Sequence, residues 1–403
     1  MGAPAGGRAL LAALLAGATG CGPGAILPDG SAGSADGGGA SDAAPATDAG
    51  PPPADLGPTL EPIRTGYGLP ALAAAVLEGD RLAALGAVGV RSAGDDTPVT
   101  TDDAWHLGSD TKAMTATVAA TLVEEGVLAW DETMPELFPD FAASMDPAFT
   151  TVTLAHLLAH RAGLTGDLLA EPALWNMLWD LSADPTVLRA WLAEQLLTRP
   201  PTVPPDVTYV YSNAGYIVAG AALERATGET WEALIAARLF GPLGMTSCGF
   251  GAPATPGTVD APWGHSGVAG AYTPVAPGPY ADNPPALGPA GTVHCALADW
   301  AKFAALHLAG ARGESTFLSA ATFAELQTAW QGGDYALGWI VADRSWAGGL
   351  ALTHAGSNTM FYANLWIAPA KDRALLVATN AADAAAQAAV EDVLGALITD
   401  WVP

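Results

Sequence analysis

The chain has 403 residues, 50% of them hydrophobic and only 14% charged, and its formal net charge of −26 comes from 41 acidic against 15 basic side chains. That length and apolar content allow one large core or two intertwined subdomains. The acidic excess argues against nucleic acid or an anionic membrane surface as a partner, because both would repel it. Lysine is scarce, with Lys112, Lys302 and Lys371 the only ones, so a lysine in a suggestive place carries more weight than usual.

Arg8, the apolar run over residues 9–16 and the small residues before Cys21 follow the order of a secretory signal, placed at residues 1–20. The run is too short to span a bilayer. Small residues directly before Cys21 resemble a bacterial lipobox, which would make that cysteine an acylated N-terminus and the only membrane contact. Ordinary signal cleavage with an incidental cysteine is the alternative. Residues 21–58 are Gly, Ala, Ser, Asp and Pro with little to bury, the composition of a disordered tether, leaving 59–403 as the folded domain of an exported cell-envelope protein. In an oxidising envelope Cys248 and Cys295 could pair, stabilising by roughly 3 to 4 kcal/mol, or stay two buried thiols.

Within the folded part, apolar runs at 71–77 and 82–90 around Glu78-Gly79-Asp80-Arg81 predict a β-hairpin. Ala113, Met114, Thr117, Val118 and Leu122 recur at helical spacing over 110–125, and Gly126 supplies the stop. Helices follow at 153–161, 186–197, 214–227 and 231–240, and residues 253–289 read as long irregular structure beside a cleft. Strands are expected at 335–341, 350–354, 360–367 and 374–380, and a last helix at 383–401. The fold class is therefore α/β (α+β): an antiparallel sheet built from N- and C-terminal strands, flanked by helices, with a helical subdomain over about 110–245 inserted.

The chemistry centres on Ser109-Asp110-Thr111-Lys112. One helical turn separates Ser109 from Lys112, so both side chains share a face at a helix N-terminus. The helix dipole and burial both disfavour a protonated lysine there, and a neutral amine is a base able to activate a serine hydroxyl. The bare tetrapeptide also fits a capped helix bearing a solvated lysine.

The wider pattern separates these readings. Trp105-His106-Leu107-Gly108 leading into Ser109 to Lys112 resembles the S-x-x-K segment of serine β-lactamases and penicillin-binding-protein-like hydrolases. Leu157-Leu158-Ala159-His160-Arg161-Ala162-Gly163-Leu164 is similar to the L-L-x-H-x-x-G-L segment of that superfamily, and Tyr211-Ser212-Asn213 to the Y-x-N motif of class C β-lactamases and related family VIII esterases. Residues 288–303 and 335–339 resemble its A-G-G-L-x-S-T and G-x-G-W segments, and His354-Ala355-Gly356 stands where K-T-G would. The resemblance, in order from about Leu69 to the end, implies a β-lactamase/transpeptidase-like fold and roles: Ser109 as nucleophile, Lys112 and Tyr211 as its proton shuttle, and Asn213 holding substrate or lysine. It implies an oxyanion hole from the amides of Ser109 and Ser357, reached through His354 and Gly356.

Tyr211 would act as a base only if positive charge from Lys112 favoured its anion. His354 replaces a fixed cation with a directional hydrogen bond, so carboxylate-bearing β-lactams should bind less well than other acyl compounds. His156 and His160 have the spacing of a zinc pair, but Leu157 stands where a metallohydrolase places glutamate, and His160 is expected to brace the turn at Gly163. No G-x-S-x-G elbow and no phosphate loop occurs, and no cofactor is expected. The expectation is a serine hydrolase acting through an acyl-enzyme on a small ester or amide, including a D-amino-acid peptide. A true β-lactamase, or a non-catalytic module holding cell-wall peptide, are the alternatives.

Overall fold

The computed structural model describes residues 51–403, so the expected signal, Cys21 and nearly all of the expected tether lie outside the described residues. In chain order the strands are β1 (Ala54–Asp55), β2 (Ala71–Glu78), β3 (Arg81–Gly89), β4 (Ala104–His106), β5 (Gly249–Phe250) and β6 (Gly264–Ser266). They continue as β7 (Thr273–Val275), β8 (Val293–Ala296), β9 (Ile340–Arg344), β10 (Gly349–Ser357), β11 (Tyr362–Ala368) and β12 (Arg373–Thr379). The main sheet has seven strands in the order β1-β3-β2-β12-β11-β10-β9, uniting both ends of the chain as the sequence implied. All its pairings are antiparallel except the short parallel contact of β1 with β3.

Strand β2 reads Ala-Leu-Ala-Ala-Ala-Val-Leu because the sheet is covered on both faces. Ala73, Ala75 and Leu77 join the larger core with Leu365, Leu376 and the helix Leu297–Ala311. Leu72, Ala74 and Val76 pack instead with Val390, Val393 and Leu397 of the terminal helix Ala384–Trp401.

Several elements depart from the sequence reading. The body begins earlier than residue 59, because β1 joins the sheet and the helix Gly57–Tyr67 packs the buried Leu60 under it. Proline at its start and a single buried residue hid that helix. The predicted strand at 335–341 begins only at Ile340: Gly338 is left-handed (φ 86°), and a Cβ there would stand 2.6 Å from the Cα of Ala113. The helix predicted at 153–161 is only Leu154–Leu158, since His160 takes a left-handed conformation (φ 59°). The stretch 253–289 is not wholly irregular, as β6 and β7 form a hairpin within it.

The helix Thr111–Glu124 runs through the centre of the molecule and is buried on all sides rather than along one stripe. Its polar residues are satisfied: Thr115 Oγ1 donates to Pro289 O at 2.8 Å and accepts from Trp231 Nε1 at 3.1 Å. In the helical subdomain the fully buried Arg189 joins Glu224 and Glu232 and ties three helices together. Truncating it would strand the buried Glu224 carboxylate, a loss of about 3–5 kcal/mol.

Cys248 and Cys295 are bonded to each other across a sequence separation of 47. The bond staples the approach to β5 onto β8, and β8 pairs with β4, which leads into Ser109. A loop of that size is worth about 4 kcal/mol in chain entropy. Reduction, or replacement of both cysteines by alanine, should therefore lower the melting temperature by about 5 °C in a calorimetric scan.

Candidate active site

Ser109 sits in a single 3-10 turn, Gly108–Asp110, that opens directly into the helix Thr111–Glu124. This places Ser109 and Lys112 one turn apart with the lysine fully buried. Lys112 Nζ lies 3.0 Å from Ser109 Oγ, 2.8 Å from Asn213 Oδ1 and 2.7 Å from the carbonyl oxygen of Ala290. Burial pushes the Lys112 amine well below the ordinary lysine range, opposed only by the nearby Asp110. Burial likewise pushes the Asp110 carboxyl well up, and neither of its oxygens finds a hydrogen-bond partner. Burial thus favours the neutral form of this lysine.

A neutral amine has two N–H donors and one lone pair. Carbonyl oxygens can only accept, so Asn213 and Ala290 take the two N–H groups. On deprotonation the amine keeps two N–H groups for those carbonyls and turns its lone pair towards Ser109 Oγ, 3.0 Å away. That is the arrangement of a general base beside its nucleophile.

Tyr211 and Asn213 reach the same point because Ser212, between them, is extended (φ −138°, ψ 112°) and alternate side chains share a face. Ser212 faces away and anchors the segment. Its hydroxyl donates to Thr165 O at 2.6 Å and caps the helix Asn213–Thr227 by accepting from Gly215 N at 3.1 Å. Burial holds the Tyr211 phenol protonated well above the usual tyrosine range, an effect that the neighbouring Ser109 partly offsets. Lys112 Nζ is 4.8 Å from the Tyr211 ring centre, and the burial that favours its neutral form weakens the charge that would favour a tyrosinate. The burial that raises the Tyr211 phenol works against the charge-assisted phenolate that the sequence made conditional on Lys112.

His160 does not brace the Gly163 turn as expected. Its Nδ1 accepts from Ser212 N at 3.0 Å, and its ring packs on Tyr211 with centroids 4.3 Å apart, so it supports the Tyr-Ser-Asn segment from beneath. His156 serves its own helix start, with Nδ1 accepting from Thr153 N at 3.1 Å.

His354 is also corrected. It is buried, with Nδ1 2.8 Å from Ala355 O and Nε2 3.0 Å from the Tyr335 hydroxyl, so both ring nitrogens are engaged within the protein. Burial lowers its pKa to about 3, which leaves it neutral and without a free donor for a substrate carboxylate.

The end of β10 presses against the nucleophile turn, and two glycines make this feasible. A Cβ on Gly108 (φ 52°) would lie 2.2 Å from Ser357 N, and one on Gly356 would lie 2.5 Å from Ser109 N and 1.9 Å from Leu107 O. The backbone at Ser109 and the backbone at Ser357 are thereby in close contact. Sequence reasoning missed Asp110, Tyr335 and the Ala290 carbonyl. Asp110 was in view as the second residue of the tetrapeptide, but nothing in the sequence marked its burial.

Because the protein has so few lysines, the state of Lys112 is directly measurable. With 13C-labelled lysine, one Cε resonance should titrate far below the two from Lys302 and Lys371. Three resonances titrating together near the normal value of about 10.4 would show the amine to be an ordinary ammonium.

Comparison with known proteins places this geometry in context. Penicillin-binding protein 4 of Amycolatopsis lactamdurans is 31% identical over 250 residues, 62% of this chain and 62% of that protein. Esterase EstB of Burkholderia gladioli is 35% identical over 160 residues, 38% of this chain and 40% of that protein. The chain thus spans less than two thirds of the length of the curated relatives it matches. Among solved structures, the octameric penicillin-binding protein homologue from Pyrococcus abyssi has a TM-score of 0.70 at 22% identity, covering 85% of this chain and 77% of that chain. D-alanine carboxypeptidase AmpC from Burkholderia cenocepacia has a TM-score of 0.65 at 20% identity, covering 85% and 98%. At such identities the likeness shows a shared fold alone. The sequence profile of the Beta-lactamase family matches residues 57–400, and the chain belongs to that family.

Proposed function

We propose that the protein is a serine hydrolase that forms an acyl-enzyme at Ser109 on a small ester or amide. The observation that carries this reading is the buried Lys112 Nζ held within hydrogen-bond distance of Ser109 Oγ, Asn213 Oδ1 and the Ala290 carbonyl. Ser109 Oγ attacks the substrate carbonyl as its proton passes to Lys112 Nζ. The tetrahedral oxyanion is held by the amides of Ser109 and Ser357. The proton then moves from Lys112 by way of the Tyr211 hydroxyl to the leaving oxygen or nitrogen, and water, activated by the same pair, releases the acid.

An uncharged ester is favoured over a β-lactam or a D-amino-acid peptide. Both of the latter carry a carboxylate that a fixed cation on β10 would bind, whereas His354 there is neutral and engaged with Tyr335 and Ala355. The likeness to an esterase supports the same choice. A binding module without turnover would have no use for a lysine kept neutral beside a serine. The Cys248–Cys295 bond and the secretory character of residues 1–20 support export to the cell envelope, with Cys21 as a lipid anchor and a tether ahead of the folded body.

Exposure to a fluorophosphonate, a short-chain nitrophenyl ester, a penicillin and a D-alanyl-D-alanine peptide, followed by intact-mass measurement, tests the reading. The fluorophosphonate should modify Ser109 and the ester should turn over fastest. Ser109→Ala should abolish the adduct and cut ester turnover by at least about 10³-fold. Retained turnover in that variant would remove Ser109 as nucleophile.

The base must be deprotonated, so kcat/KM should be complete above the folded-state pKa of Lys112 and be lost as pH falls through it. Burial lowers that pKa, so activity persists into a range where an ordinary lysine would be charged. Lys112→Arg, which keeps the length and cannot deprotonate, should lower kcat by about 10³-fold at every pH, read from initial rates.

A further inference from the structure

Asp282 lies in the long stretch between β7 and β8, far in sequence from the motifs that supply the catalytic groups. It is nevertheless buried, and one of its carboxylate oxygens serves two partners. Oδ1 is 2.6 Å from His106 Nε2, a close polar contact and not an in-line hydrogen bond, and it accepts from Asn358 Nδ2 at 3.0 Å. Each partner leads to one half of the oxyanion hole.

On one side, His106 is fully buried at the end of β4, and its Nδ1 accepts the backbone N–H of Gly108 at 3.1 Å. With Nδ1 accepting, the ring's proton sits on Nε2, towards Asp282. The left-handed turn that presents the Ser109 amide is therefore gripped from behind. On the other side, Asn358 directly follows Ser357, and its Oδ1 accepts from Met360 N at 3.1 Å and Phe361 N at 2.9 Å. Those bonds close the bend where β10 passes into β11. Next to Asp282, Asn283 Nδ2 donates to Gly291 O at 2.8 Å, which fixes the same segment beside the Ala290 carbonyl that holds Lys112.

We infer that Asp282 is a positioning residue: a single buried carboxylate oxygen sets the spacing between the Ser109 and Ser357 amides by holding His106 behind one and Asn358 beyond the other. It touches no substrate. Oxyanion donors are effective only within a few tenths of an ångström of their place, and a charged acceptor gives a stiffer link than a neutral one. The inference rests on the assignment of those two amides as the oxyanion hole of the proposed hydrolase.

The test compares wild type with Asp282→Ala, rates being expressed per active site titrated with a fluorophosphonate so that misfolded protein is not counted. The kcat for a nitrophenyl ester should fall by about 10- to 100-fold, a fraction of what loss of a whole oxyanion donor costs. The inhibition constant of a boronic acid, whose tetrahedral adduct occupies the hole, should rise by a similar factor while KM stays within about threefold. Asp282→Asn keeps an acceptor oxygen at the same point and should recover kcat to within about fivefold of wild type. If Asp282→Ala does not fold, Asn358→Asp keeps the bonds to Met360 and Phe361, cannot donate to Asp282, and should move kcat and boronate affinity the same way. Unchanged kcat and boronate affinity per titrated site, a change in KM alone, or no recovery in Asp282→Asn would each overturn the inference. Failure of the wild type to label at Ser109 would overturn the hydrolase reading itself, a distinct result from labelling with indifferent Asp282 variants.

Discussion

The exclusion of water from the Lys112 amine is the constraint on which the rest of the structure depends. An ammonium in that position would face two carbonyl oxygens, a serine and a carboxyl group pushed to hold its proton, with no solvent to share its charge. Burial favours the neutral amine, and in that form the amine's own valence decides its direction: two hydrogens for two carbonyl oxygens and a lone pair towards the serine. The two acceptors come from opposite ends of the fold's middle section, Asn213 at the start of one helix and Ala290 in the turn before β8. A helix buried on all sides, unusual for an ordinary amphipathic element, is what this arrangement requires.

Close approach of backbone to backbone is the second requirement. The backbones at Ser109 and Ser357 approach so closely only because Gly108 and Gly356 carry no Cβ, and because the Gly108 turn tolerates a positive φ that costs most other residues energy. Holding such a junction needs support from residues that never meet a substrate. His106, Asn358 and Asp282 supply it from three separate segments, and the Cys248–Cys295 bond secures the small sheet from which His106 extends.

Around the lysine, Tyr211, Tyr216, Tyr335, His160 and His354 form an aromatic shell whose rings contact one another. Both histidines are held neutral by burial. The shell therefore excludes water and sets hydrogen-bond directions without adding fixed charge, which suits a reaction in which charge appears only as the proton leaves the serine.

Much of this was legible in the sequence because it depends on local spacing. Ser109 and Lys112 share a helical face whatever surrounds them, Tyr211 and Asn213 share a face of an extended segment, and the apolar runs of β2, β3 and β12 need a sheet covered on both sides. What the sequence could not carry were contacts between distant segments. A histidine in the place of a lysine announces a missing cation, but only packing shows that His354 spends both nitrogens on Tyr335 and Ala355. The strand expected at 335–341 was displaced by a glycine that needed to pack against Ala113, a neighbour more than two hundred residues away. The lowered pKa of Lys112, the raised pKa of Asp110 and the service of one Asp282 oxygen to two partners likewise follow from burial and proximity, and both exist only once the chain has folded.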